Sequence, residues 1–279
     1  MARGARATRA RRLTRMPMPG ETASGETDCV RAERDSPCAG SVRLVLDDSR
    51  HANALSPALV AQLHDAVRAA SASDAKAIVV DSSGERFCAG FDLGDADTIE
   101  DASLRERFDA LEALLESVRR APAVTIAVVR GPALGAGADL VAACDYRIGT
   151  SQARFAFPGS RFGVVLGTRH LASVVGRQAA LETLVEARTL DADAALACGL
   201  LSELRSDESL QARVDEIVRH CASIDLDTLR AMLRLVRSEP SERDRAELRA
   251  SVAREGFGER VRAHAKRVRE ARDARRSRP

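Results

Sequence analysis

Apolar residues follow two different periods along the chain, and their alternation predicts the order of elements. Short runs rich in Val, Ile and Ala at residues 41–47, 77–80 and 123–129 are too short for helices and predict strands. Between these runs, apolar residues recur at helical spacing over 57–70 and 103–120, with Ser56 as an N-cap for the first helix. Strand followed by helix, repeated along the chain, predicts an α/β fold with parallel strands.

The second half of the chain is predicted to be mostly helical. After Pro240 the pattern indicates one Arg- and Glu-rich helix that ends near residue 272, and we expect this tail to form a separate small layer. Short strands are predicted at 146–149 and 154–157. The other predicted helices cover 168–175, 177–186, 191–198, 207–222 and 225–238.

The first forty residues are predicted to be disordered. Residues 1–20 contain six Arg and no acid, a composition that resembles a transit peptide and also fits an over-extended start with Met16 or Met18 as the true beginning. The following Ser-, Gly- and acid-rich stretch has no apolar period. We therefore divide the chain into an extension at 1–40, a core at 41–204 and a C-terminal helical region at 205–279.

Composition excludes several classes of function. The net charge of +2 and the 3% aromatic content argue against nucleic-acid binding. No apolar run approaches the roughly 20 residues that span a bilayer, so no membrane partner is expected. The six cysteines are scattered without a metal-ligand or disulfide spacing. We expect a cytoplasmic, metal-free protein.

Two glycine-punctuated loops are the candidate site. In the stretch 121–147, an apolar strand runs through Gly135 and Gly137 into a short helix whose first turn carries Asp139. A helix N-terminus behind small residues offers unpaired N–H groups to an anion or a developing oxyanion, although tight strand–helix packing explains the glycines equally well. The second loop, SSGERFCAGFDLGD, follows the strand at 77–80.

Both loops resemble motifs of the crotonase, or enoyl-CoA hydratase/isomerase, superfamily. The family loop F-[SC]-A-G-x-D-[LI] is similar to RFCAGFDL at 86–93. The family segment G-x-[AV]-x-G-G-G-x-[ED]-L-x-x-x-C-D-x-R-[IV]-[AG] is similar to GPALGAGADLVAACDYRIG at 131–149. Weaker family matches stand in the expected order at 50–55, 153–167, 174–204 and 255–267.

The resemblance implies a spiral core of ββα units, a C-terminal helical trimerisation region and a homotrimer or dimer of trimers. It implies a coenzyme A thioester as the substrate, with no cofactor and a place in lipid metabolism. The N–H groups of Phe91 and Ala136 would form an oxyanion hole, and His51 or Arg50 would lie near phosphate. The implied substrate-binding residues are Arg50, Ala52, Ala89, Gly90, Asp92, Leu93, Leu134, Gly135, Gly159 and Arg161.

The chain departs from the family at its acid/base residues. Family hydratases use two glutamates; the first falls at Asp139, and the second is replaced by Gly159 with no carboxylate within three residues on either side. Because the pair acts jointly, we predict a poor classical hydratase. Arg161 and His170 are possible replacements, and Arg161 suits a substrate with an extra carboxylate or, alternatively, a surface ion pair.

Three functions remain open. The first is an acyl-CoA enzyme that forms a thioester enolate with Asp139 as its one acid/base residue, giving an isomerase, decarboxylase or lyase. The second is a relaxed enoyl-CoA hydratase with a water held by Ser160 or by the backbone. The third is a catalytically weak acyl-CoA-binding or scaffold subunit.

Overall fold

The computed structural model describes residues 14–15, 28–34, 40–237, 246, 248–250 and 252–276. Its strands β1 to β10 are Thr14–Arg15, Val30–Arg34, Ser41–Leu46, Ala77–Ser82, Val124–Val129, Pro132–Leu134, Tyr146–Gly149, Arg154–Ala156, Thr189–Asp191 and Glu203–Leu204. Its helices α1 to α8 are Pro57–Ala72, Asp101–Arg119, Ala136–Ala142, Thr168–Glu186, Ala192–Ala197, Asp207–Ser223, Leu226–Val236 and Phe257–Arg276. Two 3-10 helices lie at Ser49–His51 and Pro158–Phe162. Within these ranges no helix is long and apolar enough to cross a membrane.

The strands form two sheets. The larger has the order β1-β2-β3-β4-β5-β7-β10, and its strands from β3 to β10 are parallel. Strands β1 and β2 extend it as antiparallel edge strands. The smaller sheet has the order β6-β8-β9, with β6 and β8 parallel. The mixed α/β fold predicted from the alternation of strands and helices is therefore confirmed.

Both faces of the larger sheet are covered. Because side chains alternate along a strand, neighbouring residues of one strand belong to different clusters. In β4, Ile78 and Val80 belong to the core that includes α1 and α2. Ala77 and Val79 point the other way, into a second cluster with α6 and α7. The expectation that the C-terminal helices form a separate layer is therefore wrong: α6 and α7 cover one face of the sheet, and α8 joins the core on the other face through Phe257.

Regular structure begins earlier than the sequence predicts. Strand β2 pairs in antiparallel register with β3, and the amide N–H groups of Cys29 and Val30 donate to the side-chain oxygen of Gln62 at 2.8 and 3.1 Å. The prediction that residues 1–40 are disordered is wrong for this segment, and most of the extension lies outside the described residues. The apolar residues of β2 alternate with Arg and Glu over only a short stretch, and this pattern was too weak to predict a strand.

Helix boundaries follow local signals, with one clear difference. Ser56 caps α1 by accepting a hydrogen bond from the Leu59 amide at 3.2 Å, as predicted. The predicted continuous helix after Pro240 is interrupted before α8, where Gly256 has a left-handed φ of +71°. This turn redirects the chain so that α8 packs against Pro158–Phe162 and α2.

Candidate active site

The two glycine-punctuated loops pack directly against each other. The Leu134 amide donates to the Cys88 carbonyl at 2.9 Å, which links β6 to the loop after β4. Gly90 has a φ of +89°, and a Cβ there would lie 2.4 Å from the Leu134 carbonyl oxygen. A Cβ on Gly137 would lie 2.7 Å from the Cys88 Cβ. Both close approaches need glycine, so the tight-packing interpretation of these residues holds together with a site.

Two residues whose backbone N–H groups could form an oxyanion hole lie beside this contact. Phe91 and Ala136 line one cavity, and in the described part of the chain neither amide donates a hydrogen bond to another protein group. A Cβ on Gly90 would lie 3.4 Å from the Ala136 nitrogen, so the peptide that carries the Phe91 amide lies close to Ala136. Ala136 has a negative φ, as an N–H donor at this position requires. The arrangement could hold one oxyanion between two amides.

Asp139 lies in the first turn of α3 and lines the same cavity. Only 6% of its surface is exposed. Burial, and secondly the negative charge of Glu112, raise the pKa of the Asp139 carboxyl well above its usual range. The shift favours the protonated form relative to an ordinary aspartate, and a protonated carboxyl group in this position can donate a proton to a bound ligand.

The cavity has a volume of about 550 Å³ and is mostly apolar. Its size is that of a small-molecule site. The Phe91 ring stacks on Phe108 with 4.7 Å between centroids, and Phe108 contacts Phe257 edge-on, which fixes one wall. Other lining side chains are Leu93, Leu134, Phe157, Phe162, Val164, Val165, Leu166, Leu184 and Val268.

Helix α8 contributes residues that sequence reasoning missed. His264 lines the cavity, and its imidazole stacks on Phe162 with 4.5 Å between ring centroids. Burial and then the charge of Arg267 lower the pKa of His264. Arg254, in the turn before the helix, also lines the cavity. The missed signal was the apolar spacing of Phe257, Val261 and Ala265, which is hidden among many Arg and Glu residues.

The predicted substrate-binding residues divide into two groups. Those that line the cavity are Ala89, Leu93, Leu134, Gly135 and Gly159, together with the predicted catalytic Phe91, Ala136 and Asp139. Those that do not line it are Arg50, Ala52, Gly90, Asp92 and Arg161. Gly90 still shapes the wall through its contact with Leu134, and Asp92 accepts a hydrogen bond from the Gly94 amide at 2.9 Å.

The 158–162 turn places Gly159 in the cavity wall but turns Arg161 away from it. The Arg161 guanidinium donates to the Glu186 carbonyl at 2.9 Å, and the Ser160 hydroxyl donates to the Leu184 carbonyl at 2.8 Å. Arg161 thus pairs with a backbone oxygen, and neither a ligand carboxylate nor a surface acid is needed to explain it. His170 is buried in an adjoining cavity, separate from the one that Asp139 lines.

The loop at 48–55, which we call the entry loop, is anchored by Asn53. The sequence did not reveal this role of Asn53. Asn53 is fully buried; its side-chain oxygen accepts from the Asp48 amide at 2.8 Å, and its amide nitrogen donates to the carbonyls of Ser83 and Arg86. His51 is exposed and pairs with Asp48 at 2.8 Å. The loop is therefore fixed to the 83–86 turn, while the predicted phosphate-binding role of Arg50 or His51 stays a prediction.

Curated relatives match much of this chain. The protein described as "Probable enoyl-CoA hydratase echA6" of Mycobacterium tuberculosis is 36% identical over 170 residues, which are 60% of this chain and 68% of that protein. "Ethylmalonyl-CoA decarboxylase" of Gallus gallus is 31% identical over 162 residues, 56% of this chain and 54% of that protein.

A solved structure and a family model match a larger part of this chain. The crystal structure of a putative enoyl-CoA hydratase/isomerase from Bordetella parapertussis superimposes with a TM-score of 0.81 at 34% identity, covering 85% of this chain and 98% of that one. The family model described as enoyl-CoA hydratase/isomerase matches residues 39–266. The resemblance found in the two glycine loops is therefore confirmed, and the chain belongs to the enoyl-CoA hydratase/isomerase family.

Proposed function

We propose that the protein binds a coenzyme A thioester, stabilises its enolate at the Phe91 and Ala136 amides, and moves a proton with Asp139. The observation that carries this proposal is the presence of a buried carboxyl group and two unbonded amides in the wall of one apolar cavity. In a water-poor cavity each donor aimed at a developing oxyanion is worth about 3 kcal/mol of transition-state stabilisation.

Protonation of an enolate suits this site better than hydration. Addition of water needs an ionised carboxylate to activate the water and a second group to complete the proton transfers. Burial and the charge of Glu112 raise the pKa of Asp139, which works against its ionised form, and Gly159 supplies no side chain. Decarboxylation and double-bond isomerisation both end with protonation of an enolate, and one of the relatives is named a decarboxylase.

A carboxylated substrate, if bound, would need a cation in the cavity wall. Arg161 does not provide one, because its guanidinium binds the Glu186 carbonyl outside the cavity. Arg254 lines the cavity and is the arginine that could contact such a group. Substitution of Arg254 by Ala should therefore weaken the binding of malonyl-type thioesters more than the Arg161→Ala change does.

The test is α-proton exchange in D₂O. Saturated acyl-CoA thioesters incubated with the protein should acquire deuterium at the α-carbon, and the Asp139→Asn variant should lose this activity by at least about 100-fold. Malonyl- and ethylmalonyl-type thioesters, followed by release of CO₂, report on decarboxylation. Tight thioester binding without exchange or turnover would refute the proposal and indicate an acyl-CoA-binding subunit.

Hydration is the second candidate, favoured by the name of the mycobacterial relative. Loss of the enoyl absorbance of crotonyl-CoA measures it directly. Rapid hydration that is abolished in Asp139→Asn would show that Asp139 ionises in the complex and works with a water held elsewhere. That result would replace the enolate-protonation assignment.

A homotrimer is proposed from the family resemblance, with the exposed apolar residues of α7 at a contact between subunits. Leu235 and Val236 are 87% and 81% exposed, and Met232 is 48% exposed on the same helix. Exposed apolar clusters of this kind often mark contacts between subunits. Native mass spectrometry should show three copies, or six for a dimer of trimers, and a monomer at micromolar concentration would contradict the proposal.

A further inference from the structure

A second buried carboxylate lies beside the candidate active site. Glu112, on α2, is 9% exposed. It follows Phe108 by four residues. Phe108 lines the cavity that contains Asp139, which we call the acyl cavity. Residues four apart share one face of a helix, so Glu112 lies one turn further along the face that borders the site. The sequence motifs of the family do not include this position.

Glu112 lines a second cavity that adjoins the first. This cavity has a volume of about 380 Å³, and its wall includes Arg169 and His170. Val165 and Thr168 line both cavities. The two cavities therefore have a common partition, which the loop before α4 forms.

Gly167 brings this partition into contact with Asp139. Its φ is +62°, and a Cβ there would lie 2.2 Å from Asp139 Oδ1 and 2.5 Å from the carboxyl carbon. Gly167 also lines the cavity that contains Glu112. The backbone at 167 thus lies against the Asp139 carboxyl and borders the Glu112 cavity.

We propose that Glu112 is a positioning residue that keeps the proton on Asp139, so that the two residues act as an asymmetric carboxyl pair. Two neighbouring carboxyl groups resist simultaneous ionisation, and the more buried member holds its proton more strongly. Asp139 borders the apolar cavity, whereas Glu112 borders a cavity whose wall carries basic groups that can balance a negative charge. This inference rests on the proposed function only for its catalytic consequence.

Other titratable or charged groups border the two cavities. Arg254 and His264 reach the acyl cavity from the C-terminal side, and Arg169 and His170 belong to the Glu112 cavity. Burial raises the pKa of Asp139 most, and the negative charge of Glu112 raises it further. In the proton step, the enolate C=C electron pair takes the proton from Asp139 to form the C–H bond at the α-carbon, an oxyanion lone pair re-forms the thioester C=O bond, and the O–H bonding pair remains on the Asp139 carboxylate.

The test replaces Glu112 by glutamine, which keeps the shape and removes the charge. Exchange begins when the ionised Asp139 carboxylate removes the α-proton, so the exchange rate in D₂O rises with pH as Asp139 ionises. In Glu112→Gln this rise should move to lower pH. At pH values below both midpoints the rate should increase about tenfold for each pH unit by which the midpoint moves. Glu112→Asp should restore the wild-type direction. Glu116→Gln, one helical turn away at a residue that pairs with Arg120, is the matched control and should leave the profile unchanged.

A measurement without turnover separates this inference from the proposed function. Infrared difference spectra between the wild type and Asp139→Asn, recorded over a range of pH, give the pH midpoint of the Asp139 carboxyl titration. This midpoint should be lower in Glu112→Gln. Because coupling is reciprocal, Asp139→Asn should also move one glutamate carboxyl signal in ¹³C-glutamate NMR, which needs no Glu112 variant. A moved midpoint without exchange would keep the pair and refute the proposed function. An unmoved midpoint in a folded Glu112→Gln protein, and no glutamate change in Asp139→Asn, would overturn the pair.

Discussion

Replacement of Gly90 by alanine should disrupt the proposed oxyanion hole while most of the fold is retained. The new Cβ would lie 2.4 Å from the Leu134 carbonyl oxygen and 3.4 Å from the Ala136 nitrogen. The chain can relieve this contact only by separating the two loops, which moves the Phe91 and Ala136 amides apart. In addition, alanine at a φ of +89° is strained by about 1–3 kcal/mol.

The expected magnitude differs between stability and chemistry. Strain should lower the free energy of unfolding by about 1–3 kcal/mol, as urea denaturation can measure. Loss of an amide from the oxyanion hole should reduce α-proton exchange by about 100- to 1,000-fold. The infrared band of a ¹³C-labelled thioester carbonyl should also move to higher frequency in the bound ligand, because a carbonyl that accepts fewer hydrogen bonds is less polarised.

Gly176→Ala is the matched control. Gly176 has a comparable φ of +77°, but no atom lies within 4 Å of the position that its Cβ would take. This variant should show the strain in unfolding without the loss of exchange. If folded Gly90→Ala retains the wild-type exchange rate and carbonyl band, the two amides do not bind the thioester oxygen and the geometric reasoning fails.

Two further predictions concern buried polar groups. Asn53→Ala should lower the free energy of unfolding by about 2–4 kcal/mol in urea denaturation, because two hydrogen bonds that join the entry loop to the 83–86 turn and one within the loop are lost; a change below about 1 kcal/mol would contradict this role. Asp139 has a raised pKa in the folded state, so the folded protein binds more protons than the unfolded chain above pH of about 4 and loses stability as pH rises towards the folded pKa. The stability of Asp139→Asn relative to the wild type should therefore increase with pH over this window, and a difference independent of pH would show that Asp139 titrates normally.

The sequence predicted the parts of the site that depend on the backbone. Gly90 and Gly137 stand where a Cβ would clash with the facing loop, and Gly135 has a left-handed φ of +52°, so the spacing of these glycines carried both the loops and the family resemblance. Asp139 was found for the same reason, because it follows the second loop by a fixed number of residues. These features are local in sequence, and a local pattern is sufficient to find them.

The remaining residues of the site could not be predicted because they come from distant segments. Glu112 stands between the core residues Leu111 and Leu114, and its burial depends on the packing of α2 against α3. His264 belongs to a helix whose composition is mostly Arg and Glu. Its approach to Phe162 depends on the turn at Gly256. Contacts of this kind are set by tertiary packing, which no periodicity encodes.

The loss of the family's second glutamate and the burial of Glu112 point to one physical question: which protonation state of Asp139 does the protein stabilise? A carboxylate at 159 would face the acyl cavity and could share a water with Asp139. Glu112 instead approaches from behind Gly167, where it can influence the proton of Asp139 but does not line the space in which a substrate would lie. A negative charge on that side favours the acid form of Asp139, and the apolar wall on the other side favours it further. The same oxyanion hole that supports hydration in a two-glutamate site would then support protonation of an enolate here. The chemistry would have changed through the position of one charge, with the backbone donors retained.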